Sequence, residues 1–161
     1  MPTSPTPPIE LLGRASRLTS TSVEVPQEAL ATLASICETI ESDADVAADD
    51  AVAEASRDWW PLALHWALAG QVPQLAEVVV RPTSTDEVVR VVQVCNHARL
   101  PLTVTGGRSG VCGAAAPVFG GVVLDATALR GVISVDAVSG IVEVLPGTFG
   151  PDLEDELRST H

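Results

Sequence analysis

Thr103-Val104-Thr105-Gly106-Gly107-Arg108-Ser109-Gly110-Val111-Cys112-Gly113 is the stretch whose reading decides the fold. The apolar run from Leu102 to Val104 predicts a strand, and the chain then enters a loop with four glycines in the eight residues from Gly106 to Gly113. Glycine reaches backbone angles closed to other residues and lets a ligand come close to the main chain. Successive N–H groups in such a turn form a concave nest that suits an anion, phosphate above all. Two readings are open on spacing alone: a diphosphate cradle, or a tight small-residue turn between strands. The loop matches neither GxxxxGK[ST] nor GxGxxG, and no lysine follows it, which argues against a P-loop.

Upstream, Glu77-Val78-Val79-Val80 predicts a short β-branched strand ending at Arg81-Pro82. Ser84-Thr85-Asp86-Glu87 has the form of a capping box, with Ser84 at the N-cap and Glu87 three residues on. The helix that follows has Val88, Val91, Val92 and Cys95 at buried spacing and ends near Ala98-Arg99. Strand, helix and strand 102–105 make one βαβ unit with parallel strands. The glycine loop then lies at the C-terminal end of the second strand, where ligands gather in open α/β sheets.

Downstream, Gly121-Val122-Val123-Leu124-Asp125 predicts another buried strand. Val132 to Val135 and Ile141 to Leu145 alternate around Asp136-Ala137-Val138-Ser139-Gly140, as in a hairpin. Pro146-Gly147 breaks that strand. Gly150-Pro151-Asp152 opens a helix with proline and acid in its first turn, and Leu153 and Leu157 face inward.

Toward the N-terminus, residues 1–25 are rich in Pro, Ser and Thr, with four prolines in the first eight positions, and read as a disordered or loosely attached tail. Residues 26–73 read as a helical segment. Leu30, Leu33, Ala34 and Cys37 share one helical face, in a helix expected from Pro26 or Gln27 to Ser42-Asp43. Asp45 to Ala55 reads as a short helix or exposed connector. Ser56-Arg57-Asp58-Trp59-Trp60-Pro61-Leu62 sets two of the three tryptophans beside a charged pair. That segment either docks on a larger body or faces a cofactor or substrate. His65, in the apolar stretch ending at Gly70, reads as a packed or surface residue.

The chain has 161 residues, enough for one domain or slightly more. Its 46% hydrophobic content supports a core built mostly from Val, Leu and Ala, since Tyr is absent and Phe and Trp are few. A net charge of −12 argues against a nucleic-acid partner and against an anionic membrane surface. Eight acids between Glu38 and Asp58, and four between Asp152 and Glu156, read as solvated faces. Cys37, Cys95 and Cys112 are odd in number and far apart, with no zinc spacing, so no metal site is expected and a reducing compartment fits. The first residues lack a signal core and no apolar run reaches membrane-span length, so a cytoplasmic protein is expected.

In this order and spacing, four stretches resemble one family: Val79-Val80-Arg81-Pro82-Thr83-Ser84-Thr85-Asp86-Glu87-Val88, Gly106-Gly107-Arg108-Ser109-Gly110, Gly120-Gly121-Val122-Val123-Leu124-Asp125 and Pro146-Gly147-Thr148. The family is the PCMH-type FAD-binding domain of the vanillyl-alcohol oxidase superfamily, and the resemblance spans roughly Ser56 to His161. It implies an α+β fold: a small βαβ unit plus a hairpin sheet with flanking helices, occupying 74–161 as the N-terminal half of the domain. It also implies that main-chain N–H groups of Thr105, Gly106, Gly107, Arg108, Ser109 and Gly110 wrap the FAD diphosphate, and that Pro82 borders the cofactor. Relatives with covalently held flavin in this loop carry histidine after the paired glycines. Arg108 stands there here, so noncovalent FAD is implied, and its guanidinium either pairs with phosphate or faces solvent. Cys112 reads as a packing residue rather than a nucleophile.

Arg57-Asp58-Trp59-Trp60-Pro61, the glycine loop and Gly147-Thr148-Phe149-Gly150 together resemble bacterial alkyldihydroxyacetonephosphate-synthase-like proteins, with the D-lactate and glycolate oxidase branch next. The first class uses FAD to exchange an acyl for a fatty alkyl group on dihydroxyacetone phosphate, with no net oxidation; the second passes hydride from a 2-hydroxy acid to FAD. The family continues into a second half-domain and a substrate domain, so the resemblance implies an N-terminal fragment with half a cofactor site. Such a fragment meets a small-molecule substrate only within a full-length protein, and no catalytic residue is assigned. A non-catalytic binding module and a decayed product are the other readings.

Overall fold

Val122, Val123, Leu124 and Asp125 form a strand buried along its whole length, and the main sheet is built outward from it. The computed structural model describes residues 15–18, 22–42 and 51–160. In chain order the elements are β1 (Ala15–Ser16), α1 (Gln27–Ala34), β2 (Glu38–Glu41), α2 (Ala51–Ala55), α3 (Pro61–Ala67), β3 (Gln71–Val72), β4 (Val78–Arg81), α4 (Thr85–Ala98), β5 (Leu102–Thr105), β6 (Val122–Asp125), β7 (Val132–Asp136), β8 (Ile141–Val144) and α5 (Gly150–Thr160). The four-stranded sheet has the order β2-β4-β6-β5. β4 and β5 both run parallel to β6, with Val78 and Leu102 opposite Val122, and β2 runs antiparallel to β4.

Successive side chains of a strand point to opposite faces, so a valine run serves both. On one face, Val78, Val80, Val122 and Leu124 pack with Leu30 and Leu33 of α1 and Val91 and Cys95 of α4. On the other, Val79 and Val123 pack with Val52 and Ala55 of α2 and with Ala76. The architecture is the α+β arrangement that the sequence implies, with β7 and β8 pairing antiparallel as a separate two-stranded sheet.

Several local expectations are corrected. The first helix stops at Ala34 instead of Ser42-Asp43, and Glu38–Glu41 is a strand on the edge of β4. Thr39 and Ile40 are β-branched, and pairing supplies their main-chain bonds a partner that a lone helix would not need. β4 and β5 are parallel as expected, yet β6 lies between them. On α4, Val91 and Cys95 are buried, but Val92 is 44% exposed because it sits a third of a turn off that stripe. Ser84 caps α4 by accepting from the Glu87 N–H at 3.3 Å, while the Glu87 carboxylate reaches back to the Thr83 N–H, at 2.6 Å, rather than to Ser84.

Of the expected tail, residues 1–14 and 19–21 lie outside the described residues. Ala15–Ser16 pairs in parallel with β3, Val23 bridges Gly120, and Val25 joins the core. Of 45–55, residues 45–50 also lie outside the described residues, and α2 is the short helix. The acidic stretch 38–58 is not wholly a solvated face: Asp58 is 1% exposed.

Candidate functional site

All three parallel strands deliver their C-terminal ends to one edge of the sheet. Pro82 follows β4 there and is buried, Thr105 and Gly106 follow β5, and Asp125 ends β6. β6 separates β4 from β5, so Pro82 lies two strand spacings, roughly 10 Å, from the line of β5. It shares the edge with the loop without being next to it in the sheet. The turn after β8 joins the same edge. A Cβ on Gly106 would lie 3.5 Å from the Pro146 oxygen, and the Gly147 N–H donates to the Leu129 carbonyl at 2.8 Å. Thr105 is buried; Gly107, Ser109 and Gly110 are exposed; Gly106 and Arg108 are intermediate.

The loop's two kinds of main-chain group are treated differently. The carbonyls of Arg108 and Gly110 both accept from the Trp59 N–H, at 3.2 and 3.0 Å. Among the described residues, the N–H groups of 106–113 have no hydrogen-bond acceptor. Residues 106–110 belong to no strand ladder. Thr105 adds a buried hydroxyl, Oγ1, with no partner among the described residues. Unmatched donors beside an unmatched hydroxyl, on a stretch with few side chains to cover them, fit a ligand rich in acceptor oxygens. The residues present therefore fit a dinucleotide diphosphate.

Arg108 neither faces open solvent nor stands free. Its guanidinium lies 3.7 Å from Glu54 Oε2, and its backbone is left-handed, with φ of 53°. A glycine would take that conformation without strain. The other oxygen of Glu54 accepts from Arg57 Nη2, and Arg57, like Asp58, is 1% exposed. Asp58 Oδ1 accepts from the Trp60 N–H at 3.0 Å. Sequence reasoning missed Glu54, Arg57 and Asp58 as parts of the site. The signal was present in a charged pair between an alanine-rich helix and two tryptophans. Trp60 packs edge-on against Trp66, with centroids 5.4 Å apart, and its ring lies 3.0 Å from where a Cβ of Gly113 would sit. The tryptophan segment thus docks on the loop itself. His65 is exposed, as expected.

At the end of β6, Asp125 Oδ2 accepts from Arg81 Nε at 3.1 Å and Oδ1 from the Thr127 N–H at 2.9 Å. Arg81 also donates to Glu38 through Nη1. Burial disfavours the Arg81 charge, but the hydrogen bond and charge of Asp125, with the charge of Glu38, outweigh it and raise its pKa overall.

Cys112 is exposed on the loop, whereas Cys95 is buried and its thiol is pushed up from 9.0 to about 11 by burial. Iodoacetamide at pH 8 is expected to label Cys112 in the folded chain and Cys95 only after unfolding, as peptide mass mapping would read. The folded chain keeps the Cys95 proton through the range where an unfolded thiol has lost it. Its contribution to stability is therefore full below about pH 9 and lost as pH rises toward 11. Among the described residues there is no group of three or more His, Cys, Asp or Glu able to hold a metal, and no helix is long and apolar enough to cross a membrane. A groove of about 570 Å³ between α1 and α4, lined by Pro26, Ala29, Ile36, Val94 and Ala98 among others, touches none of the loop residues.

A family model described as an FAD binding domain matches residues 76–161. D-lactate dehydrogenase of Anaerostipes hadrus is 35% identical over 80 residues, covering 50% of this chain and 17% of that protein. Glycolate oxidase subunit GlcD of Bacillus subtilis (strain 168) is 28% identical over 83 residues, covering 52% and 18%. Among solved structures, an alkyldihydroxyacetonephosphate synthase superposes with a TM-score of 0.72 at 21% identity, over 89% of this chain and 27% of that one. P-cresol methylhydroxylase does so with 0.64 at 19% identity, over 88% and 27%. The chain thus spans less than a fifth of the length of these two curated relatives. With the matched region covering more than half of its residues, and with the strand edge and glycine loop that the match contains, the chain belongs to the PCMH-type FAD-binding domain family of flavoenzymes.

Proposed function

We propose that this chain contributes the diphosphate-binding half of a noncovalent FAD site in a flavin-dependent oxidoreductase. The observation that carries the reading is the division of labour in the loop: carbonyls of 108 and 110 drawn down to Trp59, N–H groups of 106–110 left without acceptors among the described residues. Thr105 supplies a hydroxyl beside those donors, and Pro82 walls the same strand edge. The Arg108 guanidinium already shares the Glu54 carboxylate with Arg57, so the reading rests on the loop's N–H groups and not on that cation. FAD, when bound, supplies the electron and hydride chemistry, while these residues bind and orient it.

The net charge of −12 gives no long-range attraction for a dianion. Screening limits that repulsion to about 8 Å at physiological salt, so local N–H groups decide binding. Gly107 is exposed, so a valine there leaves the core untouched while covering the donors. Titrating the chain with FAD and following flavin fluorescence, Gly107→Val is expected to weaken binding at least tenfold with an unchanged circular dichroism spectrum. Equal affinity in both proteins would remove the loop from the site.

For the whole protein, two chemistries are in view. The resemblance of Arg57-Asp58-Trp59-Trp60-Pro61 and the loop supports an alkyl-for-acyl exchange of the alkyldihydroxyacetonephosphate synthase kind. The identity with D-lactate dehydrogenase and glycolate oxidase subunit GlcD supports oxidation of a D-2-hydroxy acid. Anaerobic addition of D-lactate or glycolate to the flavin-loaded full protein separates them: bleaching of the flavin's visible absorbance favours hydroxy-acid oxidation, and an unbleached flavin favours exchange.

A further inference from the structure

We infer that Glu54, Arg57 and Asp58 are positioning residues that lock the glycine loop in its anion-receiving shape before any cofactor arrives, an inference that rests on the FAD reading above for its purpose but not for its geometry. These three residues lie outside the region that the family model matches. Arg57 and Asp58 are almost wholly buried, and charged side chains are seldom so unless their surroundings hold them. Asp58 lies against the loop, and Arg57 reaches it through Glu54. The two oxygens of Glu54 are divided between Arg57 and Arg108, which joins the buried pair to the loop's own cation. A Cβ on Gly110 would sit 3.6 Å from Asp58 Oδ2. The next N–H in the chain, that of Trp59, donates to two loop carbonyls, those of Arg108 and Gly110.

The strain in the loop sits at the same junction. Arg108 is a non-glycine residue in the left-handed region, a state that persists only where neighbours over-determine it. Its carbonyl is held by Trp59 and its guanidinium by Glu54. With both tethers in place the carbonyls of 108 and 110 are spoken for and the loop N–H groups stay available. Without them, the loop is free to turn those donors elsewhere. Arg57 Nε and Nη1 and Asp58 Oδ2 have no partner among the described residues, so the network is incompletely satisfied and sensitive to small changes.

Trypsin reads this directly, because the Arg108–Ser109 bond is itself a cleavage site and the chain contains no lysine to complicate the digest. Arg90, in the middle of α4, reports unfolding of the whole. In the full chain without FAD, Glu54→Met and Asp58→Asn are each expected to speed cleavage after Arg108 at least tenfold relative to cleavage after Arg90. Glu54→Gln, which keeps an acceptor, is expected to restore most of the protection. An unchanged ratio in both variants, or equal acceleration at both bonds, would overturn the inference, since the network would then hold the fold and not the loop. FAD titration of the same proteins separates the two claims. A changed ratio with no FAD uptake by the wild type would sink the functional reading and leave the lock standing. Equal FAD affinity with an unchanged ratio would sink the lock alone.

Discussion

Gly147→Ala is expected to lower the stability of this chain by about 3 kcal/mol, the upper end of what overpacking costs. A Cβ at Gly147 would lie 2.8 Å from the Leu129 oxygen and from the Thr127 carbonyl carbon, and closer still to the Ala126 oxygen. All three are main-chain atoms, so no side-chain rotation relieves the clash. The backbone at the end of β6 must shift instead. The turn carrying Gly147 is clipped there by its own N–H to Leu129 and by Thr148, whose hydroxyl accepts from the Gly131 N–H at 3.0 Å and donates to the Leu145 carbonyl at 2.7 Å. Urea unfolding would read the change as a midpoint lower by about 1 M or more, with a slope of about 2 kcal/mol/M. Gly150→Ala is the control: nothing among the described residues lies within 4 Å of a Cβ there and its backbone is not left-handed. It is expected to raise stability by about 0.4–1 kcal/mol through the unfolded chain. A Gly147→Ala midpoint equal to the parent's would show that the turn is not wedged against β6.

Asp125→Ala follows, with an expected loss of about 2–3 kcal/mol. Its carboxylate is 3% exposed and makes two bonds that tie separate elements together: to Arg81 at the end of β4 and to the Thr127 N–H in the turn after β6. Removing one partner of a fully buried pair costs about 3–5 kcal/mol. Here the loss is smaller, because the Arg81 side chain is 31% exposed and keeps Glu38. Asp125→Asn keeps the acceptor for Thr127 and is expected to cost about half as much, on the order of one charge-assisted bond. Glu38→Ala, at the 56% exposed end of the same network, is expected to cost about 1 kcal/mol or less. If Asp125→Ala and Glu38→Ala proved equally mild, Asp125 would not be the hub of that edge.

Both substitutions bear on the site because they act where the strand ends converge. Loosening the 126–129 segment moves the floor beside Gly106 and Pro146, so stability and FAD affinity are expected to fall together at Gly147 and Asp125. At exposed Gly107 they separate, since only affinity changes.

Local chemistry carried most of the reading. Val122-Val123-Leu124 announced a strand covered on both faces, Ser84 and Glu87 announced the start of α4, and Asp136 to Gly140 announced a hairpin turn. The order of four short motifs announced the family. These features depend on residues within a few positions of one another, and their patterns survive in any context that buries the apolar face. The misread parts have partners far away in sequence. Glu38–Glu41 is a strand only because β4 offers it an edge 40 residues on, and β6 enters between β4 and β5 although the chain visits it last.

From its sequence alone, then, the strands 78–81, 102–105 and 122–125, the hairpin and the glycine loop were determined, because periodicity and backbone freedom are local properties, and the FAD-binding kinship followed from the resemblance of four short motifs. Only the tertiary structure decided that Arg57 and Asp58 are buried, that Glu54 bridges two arginines, and that Arg108 is held left-handed. The burial of a charge depends on which distant surfaces close over it, and no spacing of neighbouring residues encodes that.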